Sequence, residues 1–169
     1  MKKVLLGCVL CIGIVSPLRA DDTLVRFDGG IGVIPVSSVT VNADGSTTIN
    51  RNIVRGVNPP GQIWVIANLR AEVNEDGSIE VAGRGLLLGG GNNVGLNGNQ
   101  RVFATLICSA TAPFAQFSTP TTGVALEANG DFRIEDTLTP TPPSPCASPV
   151  LLIRNPAGAW FAAGILKLN

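Results

Sequence analysis

The sequence predicts an all-β protein: an antiparallel β-sandwich of jelly-roll or immunoglobulin-like style, or a small barrel, with about nine or ten short strands and one disulfide. Three observations predict it. Apolar and polar residues alternate with period two over several stretches, Asp-Gly or Asn-Gly pairs interrupt that alternation three times, and helix start and stop signals are poor throughout.

A leader comes first. Met1-Lys2-Lys3 is a short positive region, Val4 to Val15 is an apolar run of 12 residues, and Ser16 to Ala20 supplies a breaker and a small residue ahead of cleavage between Ala20 and Asp21. Twelve residues of helix span about 18 Å, short of a hydrocarbon core of roughly 30 Å, so the reading is a secretory signal and not an anchor. Leu5-Leu6-Gly7-Cys8 resembles the surroundings of a bacterial lipoprotein cysteine, but it leaves only Val4 to Gly7 as the apolar region, so lipidation is not expected. No later stretch reaches 18 apolar residues, so no transmembrane segment is expected after cleavage.

Of the 169 residues, 149 then remain as a single β-rich domain, residues 21–169. Losing Lys2, Lys3 and Arg19 takes the basic residues from 12 to 9 against 12 acids, a net charge near −3. That balance gives no electrostatic reason for a nucleic-acid partner. At 14% charged and 45% hydrophobic, the chain is too apolar for general disorder.

Strands are expected at Thr23–Phe27, Gly32–Val36, Val102–Cys108, Val150–Arg154 and Ala159–Leu166, between Gly, Pro and Asn clusters. The clearest alternation runs from Gln62 to Val73, with Ile63, Val65, Ala67, Leu69, Ala71 and Val73 on one face and Trp64, Ile66, Asn68, Arg70 and Glu72 on the other. An apolar residue at every second position fits a strand better than three helical turns. Hairpins are expected around Asp44-Gly45, Asp76-Gly77 and Asn129-Gly130. Their intervals, 32 and 53 residues, are too unequal for a solenoid or propeller.

Two connections stand out. Gly89 to Asn99 holds five Gly and four Asn in 11 positions, an unusually turned surface loop. Its uncovered amides at residues such as Gly90, and the donor-acceptor side chains of Asn92, Asn93, Asn97 and Asn99, suit a neutral hydroxyl-rich or peptide ligand, a glycan or an envelope protein. Arg84 and Arg101 near its ends could add charge-assisted bonds. A plain crossover is the competing reading. Pro140 to Pro145 is stiff and extended, and it precedes Cys146.

Cys108 and Cys146 are the two cysteines after the leader, so a disulfide is expected. With no His and only those two Cys, a four-ligand structural zinc site and a redox pair, usually a Cys-x-x-Cys motif, are the weaker readings, and no metal or other cofactor is expected. Aligning Gly77 or Gly45 with the sixth position of an EF-hand loop puts Gly83 or Arg51 at the twelfth, where a bidentate Glu is required. Both Gly positions are therefore turns.

The catalytic inventory is short. There is no His and no Tyr, and Lys167 is the single lysine after the leader, which removes His-based nucleophilic hydrolysis and leaves a poorly placed Ser-Lys option. Neither a nucleophile elbow, a dinucleotide fingerprint nor a phosphate-binding loop occurs. What remains is carboxylate chemistry from Glu127, Asp131, Glu135 and Asp136, which could serve a polysaccharide hydrolase. The alternation of Phe132, Ile134 and Leu138 against Arg133, Glu135 and Thr137 favours solvated strand charges instead. Trp64 and Trp160 could stack on a sugar or a partner, or belong to the core. The expectation is an exported protein, periplasmic or extracellular, acting by binding or as an envelope component. The alternatives are the carboxylate-dependent hydrolase and an adhesion or fibre subunit using exposed strand edges.

Overall fold

A computed structural model describes residues 22–168. The leader and its expected cleavage site at Ala20 and Asp21 lie outside the described residues. Thirteen strands follow: β1 Thr23–Gly32, β2 Val36–Val41, β3 Thr47–Arg51, β4 Trp64–Val65, β5 Asn68–Asn74, β6 Ser78–Arg84, β7 Leu87–Leu88, β8 Arg101–Ile107, β9 Gln116–Ser118, β10 Val124–Ala125, β11 Phe132–Thr137, β12 Val150–Arg154 and β13 Trp160–Leu166. The described residues form no helix. The count exceeds the expected nine or ten because four of these strands are only two or three residues long.

One sheet, in the order β10-β8-β12-β13-β1-β5-β6-β11, curls until its edges nearly meet, and β9 pairs with β8 beside β10. All pairings are antiparallel. The seam is closed at one point by Ser118 and Thr139, which exchange amide-to-carbonyl bonds of 3.1 and 2.8 Å. The fold is therefore a nearly closed barrel, the second of the two expected architectures. Closure removes the unpaired edges that an open sheet would expose.

The inward faces supply the core. Phe27, Leu69, Val73, Ile79, Val81, Leu106, Ile153 and Phe161 are at most 2% exposed. The alternation expected over Gln62–Val73 breaks at Ile66 and Ala67. Leu69, Ala71 and Val73 point inward as expected, but in β4 the phase reverses, so Trp64 is buried while Ile63 and Val65 face solvent. The reason is a close crossing. Trp64 donates its amide to Val33, and a side chain on Gly32 would sit 2.2 Å from the Trp64 carbonyl oxygen. Only glycine lets the end of β1 pass beneath β4.

Gly32–Val36 is accordingly the exit from β1 and not a separate strand. The hairpins at Gly45 and Gly77 join β2 to β3 and β5 to β6 as expected. The turn at Asn129-Gly130 joins β10 to β11 without a ladder between them, because β10 pairs with β8. The registers place the connections 33–67, 85–100, 126–131 and 155–159 at one end of the barrel. Connections 75–77, 108–115 and 138–149 lie at the other, where Cys108 and Cys146 form the expected disulfide with Cα atoms 4.8 Å apart.

Candidate functional site

The β2–β3 hairpin is an arm standing off the first of these ends. Every residue of both strands is exposed. In the register, Val39 faces Ile49, Val41 faces Thr47 and Val36 faces Arg51, while Thr40 faces Thr48 and Ser38 faces Asn50. Residues directly opposite share a face, so one side of the arm is apolar and the other polar. On the polar side Asn50 Nδ2 donates to Ser38 Oγ at 3.0 Å, and Asn42 Nδ2 donates to Thr48 Oγ1 at 3.1 Å. On the apolar side Val39, Val41 and Ile49 keep 60%, 72% and 61% of their surface exposed, so nothing among the described residues covers them.

The arm is firmly rooted. Asn52 donates its amide to Pro35 O and its side-chain nitrogen to Ile34 O, each at 3.0 Å. The Trp160 indole donates to Asn52 O at 2.9 Å, and Arg51 Nη2 donates to Pro59 O at 2.6 Å. Beyond the root the chain turns down the barrel wall, burying Val57 and bringing Arg55 to Ser148 Oγ at 2.9 Å. At the tip, Asp44 accepts from Ser46 N at 2.9 Å and Ser46 Oγ at 2.6 Å, and these bonds hold its carboxyl below the usual range. The hairpin is legible in the sequence through Asp44-Gly45. Its separation from the core has a fainter signal: no Leu, Phe or Trp occurs between Val36 and Arg51.

The Gly89–Asn99 loop lies at the same end. It folds into consecutive turns, with Val94 N bonded to Gly91 O, Leu96 N to Asn93 O, and Gly95 N to Leu88 O. Part of it is structural. Asn97 Nδ2 reaches Leu126 O at 3.2 Å and Glu127 O at 3.0 Å, and Asn97 Oδ1 accepts from Asn99 N. Among the described residues the side chains of Asn92 and Asn93 make no hydrogen bond, and Val94 and Leu96 beside them are exposed. Gly90 packs near Ile63. Arg101 is held on the carbonyls of Thr122 and Gly123, and Arg84 is exposed at the end of β6.

The carboxylates are dispersed. Asp131 Oδ1 accepts from Gly85 N at 3.0 Å, fastening the β10–β11 turn to the β6–β7 connection. Glu127 is exposed in that turn. Glu135 and Asp136 are neighbours in β11, so their side chains leave opposite sides of the sheet. Asp136 accepts from Thr137 N. Glu135 instead joins the outer wall, where Glu72, Glu80 and Glu135 stand in one row across β5, β6 and β11. Like charges directly opposite repel. Interleaved arginines offset this: Arg26 pairs with Glu72 at 2.9 Å, Arg133 with Glu80 at 3.5 Å and also with Glu135, and Arg70 with Asp28 at 3.3 Å. The hydrogen bond to Glu135, then its charge, raises the Arg133 pKa. All of these but Glu135 line a shallow cleft of about 500 Å³, a solvated ion-pair lattice.

Both tryptophans are core residues. Trp64 stacks on Phe161 with ring centroids 4.1 Å apart, and Trp160 is 3% exposed. Neither ring is presented to a ligand. No group of acidic or Cys side chains among the described residues is arranged to hold a metal ion. Comparison of the chain with protein-family models, with curated proteins and with solved structures gives no match.

Proposed function

We propose that this protein is an exported binding or structural module that makes its contacts at the arm end of the barrel. The observation that carries the reading is the concentration there of exposed apolar side chains on rooted backbone: Val39, Val41 and Ile49 on the arm, and Val94 and Leu96 beside Asn92 and Asn93 on the loop. Contiguous exposed apolar surface rimmed by polar groups is a mark of contact sites. Rigid rooting favours binding further, because little order is lost on association. Neutral donor-acceptor side chains beside apolar contacts suit an uncharged glycan or an envelope protein.

The test is a screen of neutral glycans and isolated envelope components against the purified protein, repeated with Asn92→Ala combined with Asn93→Ala. The reading expects a retained component whose binding weakens about tenfold in the variant, the loss of roughly one net hydrogen bond or two. Turnover of a glycan, abolished by Glu135→Gln, would replace it with the hydrolase reading.

A further inference from the structure

Resting on that reading, we infer that the apolar face of the arm is covered by the arm of a second copy of this chain, the two stacking face to face about a two-fold axis. The face is self-complementary. Val39, Val41 and Ile49 form one surface of β-branched side chains, and a two-fold rotation lays that surface on itself, apolar on apolar. The charges agree with the same operation. Between Val36 and Arg51 the formal charges are Asp44 at the tip and Arg51 at the root, on an otherwise neutral arm. Antiparallel stacking sets each tip over the other's root, so Asp44 of one copy meets Arg51 of the next, whereas a parallel arrangement would set like charge on like. Arg51 belongs to the stacking face, opposite Val36 and two residues from Ile49.

What the arm lacks points the same way. Exposed two-stranded ribbons are ordinarily protected by lysine, proline or inward charge, and before Arg51 at the very end of β3 none interrupts either strand. Charge complementarity to a strongly acidic or basic partner is absent as well, which favours the copy over a charged protein. The face is about 20 Å long and about 10 Å wide. Such a footprint is well under the roughly 800 Å² per partner of a standard interface, so the dimer is reversible and concentration-dependent.

Sedimentation velocity of the purified protein over a wide concentration range tests this. The expected result is a monomer–dimer equilibrium, with Val39→Lys combined with Ile49→Lys raising the dissociation constant at least about a hundredfold, the effect of removing two buried aliphatic side chains per copy. Circular dichroism checks that the variant keeps its strand content. Independently of that variant, Ile49→Cys should form a disulfide-linked homodimer on mild oxidation of the chain beginning at Asp21, because Cys108 and Cys146 are already paired. A protein that stays monomeric up to its solubility limit, a dimer indifferent to the double substitution, or a dimer in which Ile49→Cys does not cross-link would each overturn the inference. None of these would touch the reading of the arm end as a contact surface for other molecules, which the ligand screen decides separately.

Discussion

The Trp64 ring lies flat on Phe161, and the residue is 4% exposed. Trp64→Ala should therefore cost about 3–5 kcal/mol, measured by denaturant unfolding. A loss below about 1 kcal/mol, close to the range of surface substitutions, would mean that the ring is dispensable to the core. From sequence, Trp64 belongs to the outward row of a single long strand; the phase reversal that buries it is set by Gly32, 32 positions earlier. Period two reports faces only while a strand stays unbroken. Asp76 illustrates a local effect that was legible. The Ser78 side chain and amide bond its carboxylate in the β5–β6 turn and lower its pKa. A depressed pKa in the folded state stabilises above the unfolded value and loses that contribution as pH falls through the folded one. Asp76→Ala should thus unfold at lower temperature than the parent at neutral pH, with the two midpoints converging below about pH 4.

At the scale of elements, turn chemistry was the readable part: Asp-Gly and Asn-Gly mark all three turns, and β12 falls on its expected span. Pairing partners were not readable. The Asn129-Gly130 turn looks like the others, yet β10 crosses to β8 because Leu126 N bonds Gln100 O and draws that edge across the seam. The Gly89–Asn99 loop divides similarly. Its composition marks it as turned, but composition does not separate Asn97, whose side chain bonds two carbonyls of the neighbouring turn, from Asn92 and Asn93, whose side chains bond nothing among the described residues. Asn97→Ala should lower stability by about 1–2 kcal/mol, while Asn92→Ala with Asn93→Ala should change it by less than about 0.5 kcal/mol. Equal losses in thermal unfolding would refute that division. The arm was visible as a hairpin but not as a free-standing one, since its standing off depends on Asn52 and Trp160, contacts 108 positions apart.

For the whole molecule, the single disulfide was legible from cysteine count, and it ties the Pro-rich connection to the end of β8 at the end away from the arm. Replacing Cys108 and Cys146 together by Ser should cost about 3–4 kcal/mol, the loop-closure value for a separation of 38 residues, as read by urea unfolding. Ligand binding at the arm end should survive that change under conditions where the protein stays folded. The proposed division of labour is a barrel that holds the fold and one end that makes contacts. Amide hydrogen exchange, recorded with and without a component retained in the binding screen, tests this division most directly. Added protection is expected within residues 36–51 and 89–99, and none along the Arg26–Glu72–Glu80–Arg133 wall. Protection confined to that wall or to the disulfide end would contradict it.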